Sequence, residues 1–176
     1  MEWGSGRREV ERLAEVLGSK FGGPPADLPA IANAVGIIDV AYCDMNSAAL
    51  LQVGPTFGTW GVLIRQLDAR ARQRFSLAHE IAHVALGVVG DEWRYMGEAA
   101  ARGARTRAER ICDYYAAALL MPRALICRAA TETPDADELA RKFDVSGQSM
   151  RIRLEHCGLY ALAAAKAMVI AIVLLT

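Results

Sequence analysis

The sequence predicts a single α+β domain, in which a small sheet near the N-terminus is followed by a series of helices. Three short apolar runs, separated by Gly and Pro, precede residue 65. Beyond residue 72, apolar residues recur at helical spacing in several segments. The 176 residues are 53% hydrophobic and 23% charged, which excludes a disordered protein and supplies enough apolar material for one core.

The N-terminal elements follow from apolar spacing and from residues that break regular structure. A helix is predicted over residues 7–17 and ends at Gly18. Asp27 is predicted to cap a second helix that runs to Val35. Because only Gly- and Pro-containing turns separate the strands that follow, we expect them to form a meander. The predicted strands are Ile37–Tyr42, Ala49–Val53 and Gly61–Ile64.

Helices account for most of the remaining chain. Gly87, Pro122 and Gly158 supply the expected helix ends, and residues 91–107 are charged and interrupted by Gly, which predicts a loop with room for a short helix. The predicted helices are Arg72–Leu86, Arg107–Met121, Asp135–Phe143 and one that ends near His156. The single domain, residues 1–176, is predicted to comprise a core over about 27–122, a helical pair over about 135–158 and an apolar tail, 159–176.

Charge and cysteine usage restrict the classes of function. Twenty basic residues balance twenty acidic ones, so the net charge gives no support to a protein that coats nucleic acid or a membrane surface. The four cysteines form no CxxC pair, which argues against a disulfide framework and fits a reducing compartment. Residues 1–20 are rich in Arg and Glu and lack the apolar stretch of a signal peptide. We therefore expect a cytoplasmic protein.

The segment His79-Glu80-Ile81-Ala82-His83 indicates the chemistry. It is an HExxH motif within a predicted helix, where side chains four residues apart lie on the same face. Two imidazoles in that arrangement can bind one zinc ion. Glu80 lies beside the pair, where its carboxylate can take a proton from a water molecule. The motif therefore predicts a zinc hydrolase with Glu80 as its catalytic base.

A zinc hydrolase needs a third protein ligand, and Glu109 is the best candidate. It lies on the next strongly predicted helix, with Asp113 four residues later on the same face. A carboxylate at that position is well placed to accept the free ring N–H of a ligand histidine. The structural alternative is a solvated Glu109, with Asp113 paired to a neighbouring arginine. The other candidate ligands are Glu92, Glu98, Cys112 and His156.

Two segments resemble the ImmA/IrrE family of bacterial metallopeptidases. Residues 74–83, RFSLAHEIAH, are similar to the metal-binding helix of that family, and residues 109–122, ERICDYYAAALLMP, are similar to its second signature. The second segment departs from the family at Cys112-Asp113, where an Ala-Asn pair is usual. A weaker resemblance covers about residues 27–159.

The resemblance implies a zincin-like fold and a function. The implied zinc ligands are His79, His83 and Glu109, and Glu80 is the implied catalytic residue. The implied substrate is a transcriptional repressor, cleaved in response to stress or mobile-element signals. Tyr95, Tyr114 and the arginines of the 91–107 loop are the candidates for stabilising the oxyanion.

Residues 137–157 also resemble a helix-turn-helix. Its second helix would present four polar residues to a DNA groove, namely Gln148, Ser149, Arg151 and Arg153. However, residues 135–158 contain four basic and five acidic residues, a poor match to a phosphate backbone. We therefore expect this helical pair to pack on the peptidase core. The alternatives are a DNA-binding regulator and a toxin-like interaction module without protease activity.

The C-terminal tail is apolar from Leu159 to Leu175 except for Lys166. A membrane-spanning helix needs about 20 apolar residues, and a central lysine costs about 2.5–3.5 kcal/mol on insertion. The tail is shorter than such a span and carries the lysine near its middle. We therefore predict a buried helix or strand rather than a membrane anchor.

Overall fold

The computed structural model describes residues 3–21, 23–87 and 107–159, and within these ranges it contains seven helices and three strands. The α+β class predicted from the sequence is confirmed. The helices are α1 (Trp3–Lys20), α2 (Leu28–Ala34), α3 (Arg70–Ala85), α4 (Arg107–Leu120), α5 (Arg123–Glu132), α6 (Ala136–Phe143) and α7 (Gly147–His156). The strands are β1 (Ile37–Cys43), β2 (Ala49–Val53) and β3 (Trp60–Arg65).

The central strand of the sheet is β3, and the strand order is β1-β3-β2. Because β1 runs parallel to β3 and β2 runs antiparallel to it, the predicted meander is wrong. The physical reason is burial: β3 inserts Val62 and Ile64 into the core. The outer strands leave Ile38, Tyr42 and Val53 largely exposed. The most buried strand therefore takes the position that has a neighbour on each side.

Helix α5 has no counterpart among the predicted elements, and Pro122 explains the omission. A proline after an apolar helix indicates a helix end, but here it is also the N-cap residue of α5. Pro122 has no capping side chain, and the backbone N–H of Arg123 instead donates to Glu15 of α1 at 2.6 Å. A helix start that is stabilised by a residue so distant in sequence leaves no local signal.

The core that positions α3 is one continuous apolar cluster between the sheet and the helices. It includes Ile31 of α2, Val62 of β3, Ile81 of α3 and Leu119 of α4, all 1% exposed or less. Helix α3 packs on α4, and α4 packs in turn on α1. The HExxH helix is therefore held on several sides, which fixes the direction of its remaining polar face.

Neither a disulfide nor a membrane-spanning helix is present among the described residues. All four cysteines carry free thiols. Within the described ranges, no helix is both long and apolar enough to cross a membrane. The predicted tail beyond Leu159 and the predicted loop before Arg107 lie outside those ranges.

Arg153 of α7 is buried, whereas the helix-turn-helix alternative would require its side chain at the surface. Its side chain is 1% exposed, and Nη2 lies 2.7 Å from Glu11 and 3.3 Å from Glu15, both of α1. Nε donates to the carbonyl of Met121 at 2.9 Å. The physical reason is helix geometry: Arg153 adjoins the buried Leu154 on the inner face of α7, where the glutamates of α1 balance its charge. The residue therefore ties α7 to α1.

Replacing Arg153 with Met should lower the free energy of unfolding by about 2–4 kcal/mol, because both glutamates lose the positive charge that balances them. The loss stays below that of a fully buried pair because Glu11 and Glu15 are 21% and 28% exposed. The matched control is Arg151→Met on the same helix, where the arginine forms an exposed pair with Asp137. That control should lose at most about 1 kcal/mol. Urea unfolding measures both, and equal losses would contradict the assignment.

Candidate metal centre

Helix α3 places His79 and His83 side by side. Their ring centroids are 4.9 Å apart, and the two Nε2 atoms are 3.1 Å apart. His83 is 1% exposed, and the side chain of His79 is 12% exposed. Two buried imidazoles whose ring nitrogens converge on one point are the arrangement that the HExxH spacing predicts.

Glu109 of α4 reaches both imidazoles. Its Oε2 lies 3.3 Å from Nε2 of His79, and its Oε1 lies 3.5 Å from Nε2 of His83. One donor atom from each of the three residues lies within 4.8 Å of the others. Two imidazole nitrogens and one carboxylate are a donor set of catalytic zinc sites, so the residues fit a zinc ion. Glu109 therefore contacts both histidines and is not the fully solvated side chain considered as an alternative.

Asp113 holds the other ring nitrogen of His79. Its Oδ1 lies 3.0 Å from Nδ1, a distance at which the ring N–H donates to the carboxylate. A proton on Nδ1 leaves Nε2, the nitrogen that faces Glu109, as the atom that would bind a metal after giving up its own proton. The contact predicted from the spacing of Glu109 and Asp113 is therefore present.

The group concentrates negative charge around the two histidines. Burial alone lowers the pKa of His79, but hydrogen bonds with Asp113 and Glu109 outweigh burial and raise that pKa to about 9. Hydrogen bonds with His79 and His83 hold the pKa of Glu109 well below its usual range. The site thus stabilises positive charge where a cation would bind.

Glu80 lies next to this group but is not one of its three donors. The residue is 6% exposed, and its Oε2 has no hydrogen-bond partner among the described residues. Burial raises the pKa of its carboxyl. A buried carboxylate oxygen without a partner costs free energy, and such a group with a raised pKa suits a base that works near neutral pH.

The rival ligands do not join the group within the described ranges. Cys112 is buried on α4 and is not among the three convergent donors, and burial raises the pKa of its thiol to about 12. His156 lies at the end of α7, with its ring 5.9 Å from that of Tyr114. The hydroxyl of Tyr114 donates to Glu11 at 2.8 Å, so it is already engaged away from the metal centre. Two other candidate ligands, Glu92 and Glu98, and one candidate oxyanion donor, Tyr95, lie outside the described residues.

Arg74 anchors the start of the HExxH helix, a role that the sequence does not indicate. Its Nε donates to the carbonyl of Asp144 at 3.1 Å, and its Nη2 donates to the carbonyl of Ala26 at 3.0 Å. Asp144 has a positive φ of 53° in the turn between α6 and α7. Because these contacts join segments far apart in sequence, no local pattern reveals them.

Comparisons with known proteins identify the family of the chain. Residues 35–155 match the family model Peptidase_M78, the IrrE N-terminal-like domain. A solved structure described as a Mycobacterium tuberculosis transcriptional regulator resembles 84% of this chain at 19% identity and a TM-score of 0.59. The chain spans 46% of that regulator, and at this identity the likeness shows the fold alone. No curated protein gives a match. Since the family model spans more than half of the chain, the protein belongs to the IrrE N-terminal-like domain family of M78 peptidases, in agreement with its resemblance to the ImmA/IrrE metallopeptidases.

Proposed function

We propose that this protein is a zinc-dependent endopeptidase that cleaves a protein substrate. The observation that carries the proposal is the buried carboxylate of Glu80 beside two convergent imidazoles and one further carboxylate. These groups lie on helices that pack against each other, so their geometry is set before any substrate binds. Membership of a metallopeptidase family supports the same reaction class.

The residues of the centre have different roles in the proposed reaction. His79, His83 and Glu109 would hold the zinc ion, and Asp113 would keep the ring of His79 in the required tautomer. When bound, zinc supplies a Lewis acid that polarises a carbonyl and lowers the pKa of water. Glu80 accepts the proton of the attacking water and later donates it to the leaving amine.

We further propose that the substrate is a repressor-type transcriptional regulator, cleaved in the cytoplasm during stress or mobile-element regulation. The resemblance to the ImmA/IrrE family supports this class of substrate. The test is incubation of the zinc-loaded protein with a purified repressor encoded beside its gene, with and without a chelator. Chelator-sensitive cleavage supports the proposal, whereas an intact repressor in both samples argues against it.

The described helical pair gives less support to the DNA-binding alternative. Of the residues that this alternative would place at a groove, Arg153 is buried against α1 and Arg151 is paired with Asp137 at 2.7 Å. Direct reading of DNA by α7 would have to break both arrangements, and the pair carries no excess of basic residues to offset that cost. A peptidase therefore accounts for more of the described residues.

Purified protein should contain about one zinc ion per chain, because three protein ligands converge on a single point. The double variant His79→Ala/His83→Ala should lose most of this metal. The matched control is His156→Ala, which removes the one histidine outside the group and should keep the metal. Elemental analysis of the three proteins measures the difference, and full zinc content in the double variant would reject the site.

A further inference from the structure

A groove of about 1010 Å³ lies beside the candidate metal centre, between α1, α4, α7 and the start of α3. Asp113, which contacts His79, also forms part of its wall. Ile152 of α7 lines the groove and is 46% exposed. Its apolar surface includes Val10, Phe75, Ile111 and Ile152. The volume is that of a binding site, and the apolar lining offers contacts to a partner.

Basic residues surround this apolar surface. They come from three helices and are Arg7, Arg72, Arg107 and Arg110. The acidic residues in the lining are Glu9 and Asp113, of which Glu9 pairs with Arg12 at 2.7 Å. Arg110 is exposed and forms no ion pair with any described residue. Because the whole chain has no net charge, the basic excess is a local property of the groove.

We propose that this groove binds an acidic, amphipathic segment of the protein substrate. The proposal rests on the proposed peptidase function and adds a substrate class to it. Apolar side chains of the segment would cover Ile111 and Ile152, and its Asp or Glu residues would face the arginines. A basic segment would bring like charges together, and a neutral one would cover Arg110 without pairing it. The groove therefore selects for acidic segments.

Direct binding tests this selection without requiring cleavage. The full-length Glu80→Gln variant, loaded with zinc, is titrated into fluorescein-labelled peptides of about ten residues, a length typical of groove ligands. The three peptides share their Leu positions and carry Glu, Gln or Lys at all others. Fluorescence anisotropy should show the tightest binding for the Glu peptide and a loss of affinity with added salt. Equal affinities for the Glu and Lys peptides would overturn the proposal.

Variants of the groove test where the peptide binds. Arg110→Glu should weaken binding of the Glu peptide by about 3–10-fold, and Ile152→Asp by about tenfold or more. Each has a matched control with the same change of charge outside the groove. Arg128→Glu alters an exposed arginine of α5, and Val16→Asp alters a 54% exposed residue of α1. Losses in the controls as large as those in the groove variants would overturn the proposal.

Photo-crosslinking from position 152 of the full chain identifies the occupant. With p-benzoylphenylalanine in place of Ile152, a crosslink to the added Glu peptide supports the proposal. A crosslink to residues 160–176 of the same chain, or to a second copy, overturns it. If the Glu peptide binds as expected but the wild-type protein cleaves no repressor, the peptidase function fails and the docking site stands. If a repressor is cleaved and Arg110→Glu and Ile152→Asp leave its rate unchanged, the docking site fails alone.

Discussion

Replacing Glu80 with Gln should abolish hydrolysis of the protein substrate and leave the zinc content at about one ion per chain. The amide is nearly isosteric with the carboxylate but cannot accept a proton from water. A positioned base contributes about 10²–10⁴-fold to rate, which sets the expected loss. Zinc should stay because Glu80 is not one of the three convergent donors. Initial cleavage rates and metal content are measured on the same preparations.

The same substitution makes a second prediction, about stability. Because burial raises the pKa of Glu80, the ionised carboxylate is disfavoured in the folded protein at neutral pH. Its unpartnered Oε2 adds to that cost. Glu80→Gln should therefore be at least as resistant to urea as the wild type, so lost activity cannot be attributed to unfolding. Glu155→Gln, at an exposed position on α7, is the matched control and should keep both rate and metal. A wild-type rate in Glu80→Gln would reject the mechanism.

The elements that could be predicted from the sequence are those whose signals are local. Asp27 accepts the backbone N–H of Ala30, as its place before an apolar run predicts. The strand positions also follow from short apolar runs. The strand order does not, because it depends on which strand the helices bury most deeply, and the crossover that sets β1 beside β3 leaves no trace in the spacing.

Long-range contacts explain what could not be predicted. The N-terminus of α5 is stabilised by Glu15, and the buried charge of Arg153 is balanced by α1. A sequence pattern treats Arg153 as a surface residue, because its acidic partners lie more than a hundred residues away. Both α5 and α7 therefore depend on contacts with α1 in the folded protein.

The candidate metal centre was likewise predictable only in part. His79, Glu80 and His83 follow from one motif on one helix, and the spacing of Glu109 and Asp113 places both on one face of the next helix. The position of Glu109 opposite the histidines cannot be read from either helix alone. It depends on the packing of α3 on α4. The groove beside them requires four helices together, so it has no counterpart in any one stretch of sequence.

Glu109→Ala should reduce zinc affinity more than about 100-fold, whereas Asp113→Ala should reduce it by about 10–100-fold. The first substitution removes one of the three proposed protein ligands. The second removes only the carboxylate that orients His79 through Nδ1, and the ring can still rotate into place. Because both act on the same ion, their free-energy losses should not add in the double variant. Competitive titration with a chelator of known zinc affinity measures all three proteins.

Cys112→Ala is the matched control for these variants, since it lies between them on α4. Its thiol is buried and is not one of the three convergent donors, so its removal should leave zinc affinity close to that of the wild type. If Glu109 and Asp113 were only a surface pair, both variants would keep normal zinc affinity and lose at most about 1 kcal/mol of stability. Wild-type affinity in Glu109→Ala alone would move the third ligand to Glu92, Glu98 or Cys112, and the affinity of Cys112→Ala would separate the last of these from the other two.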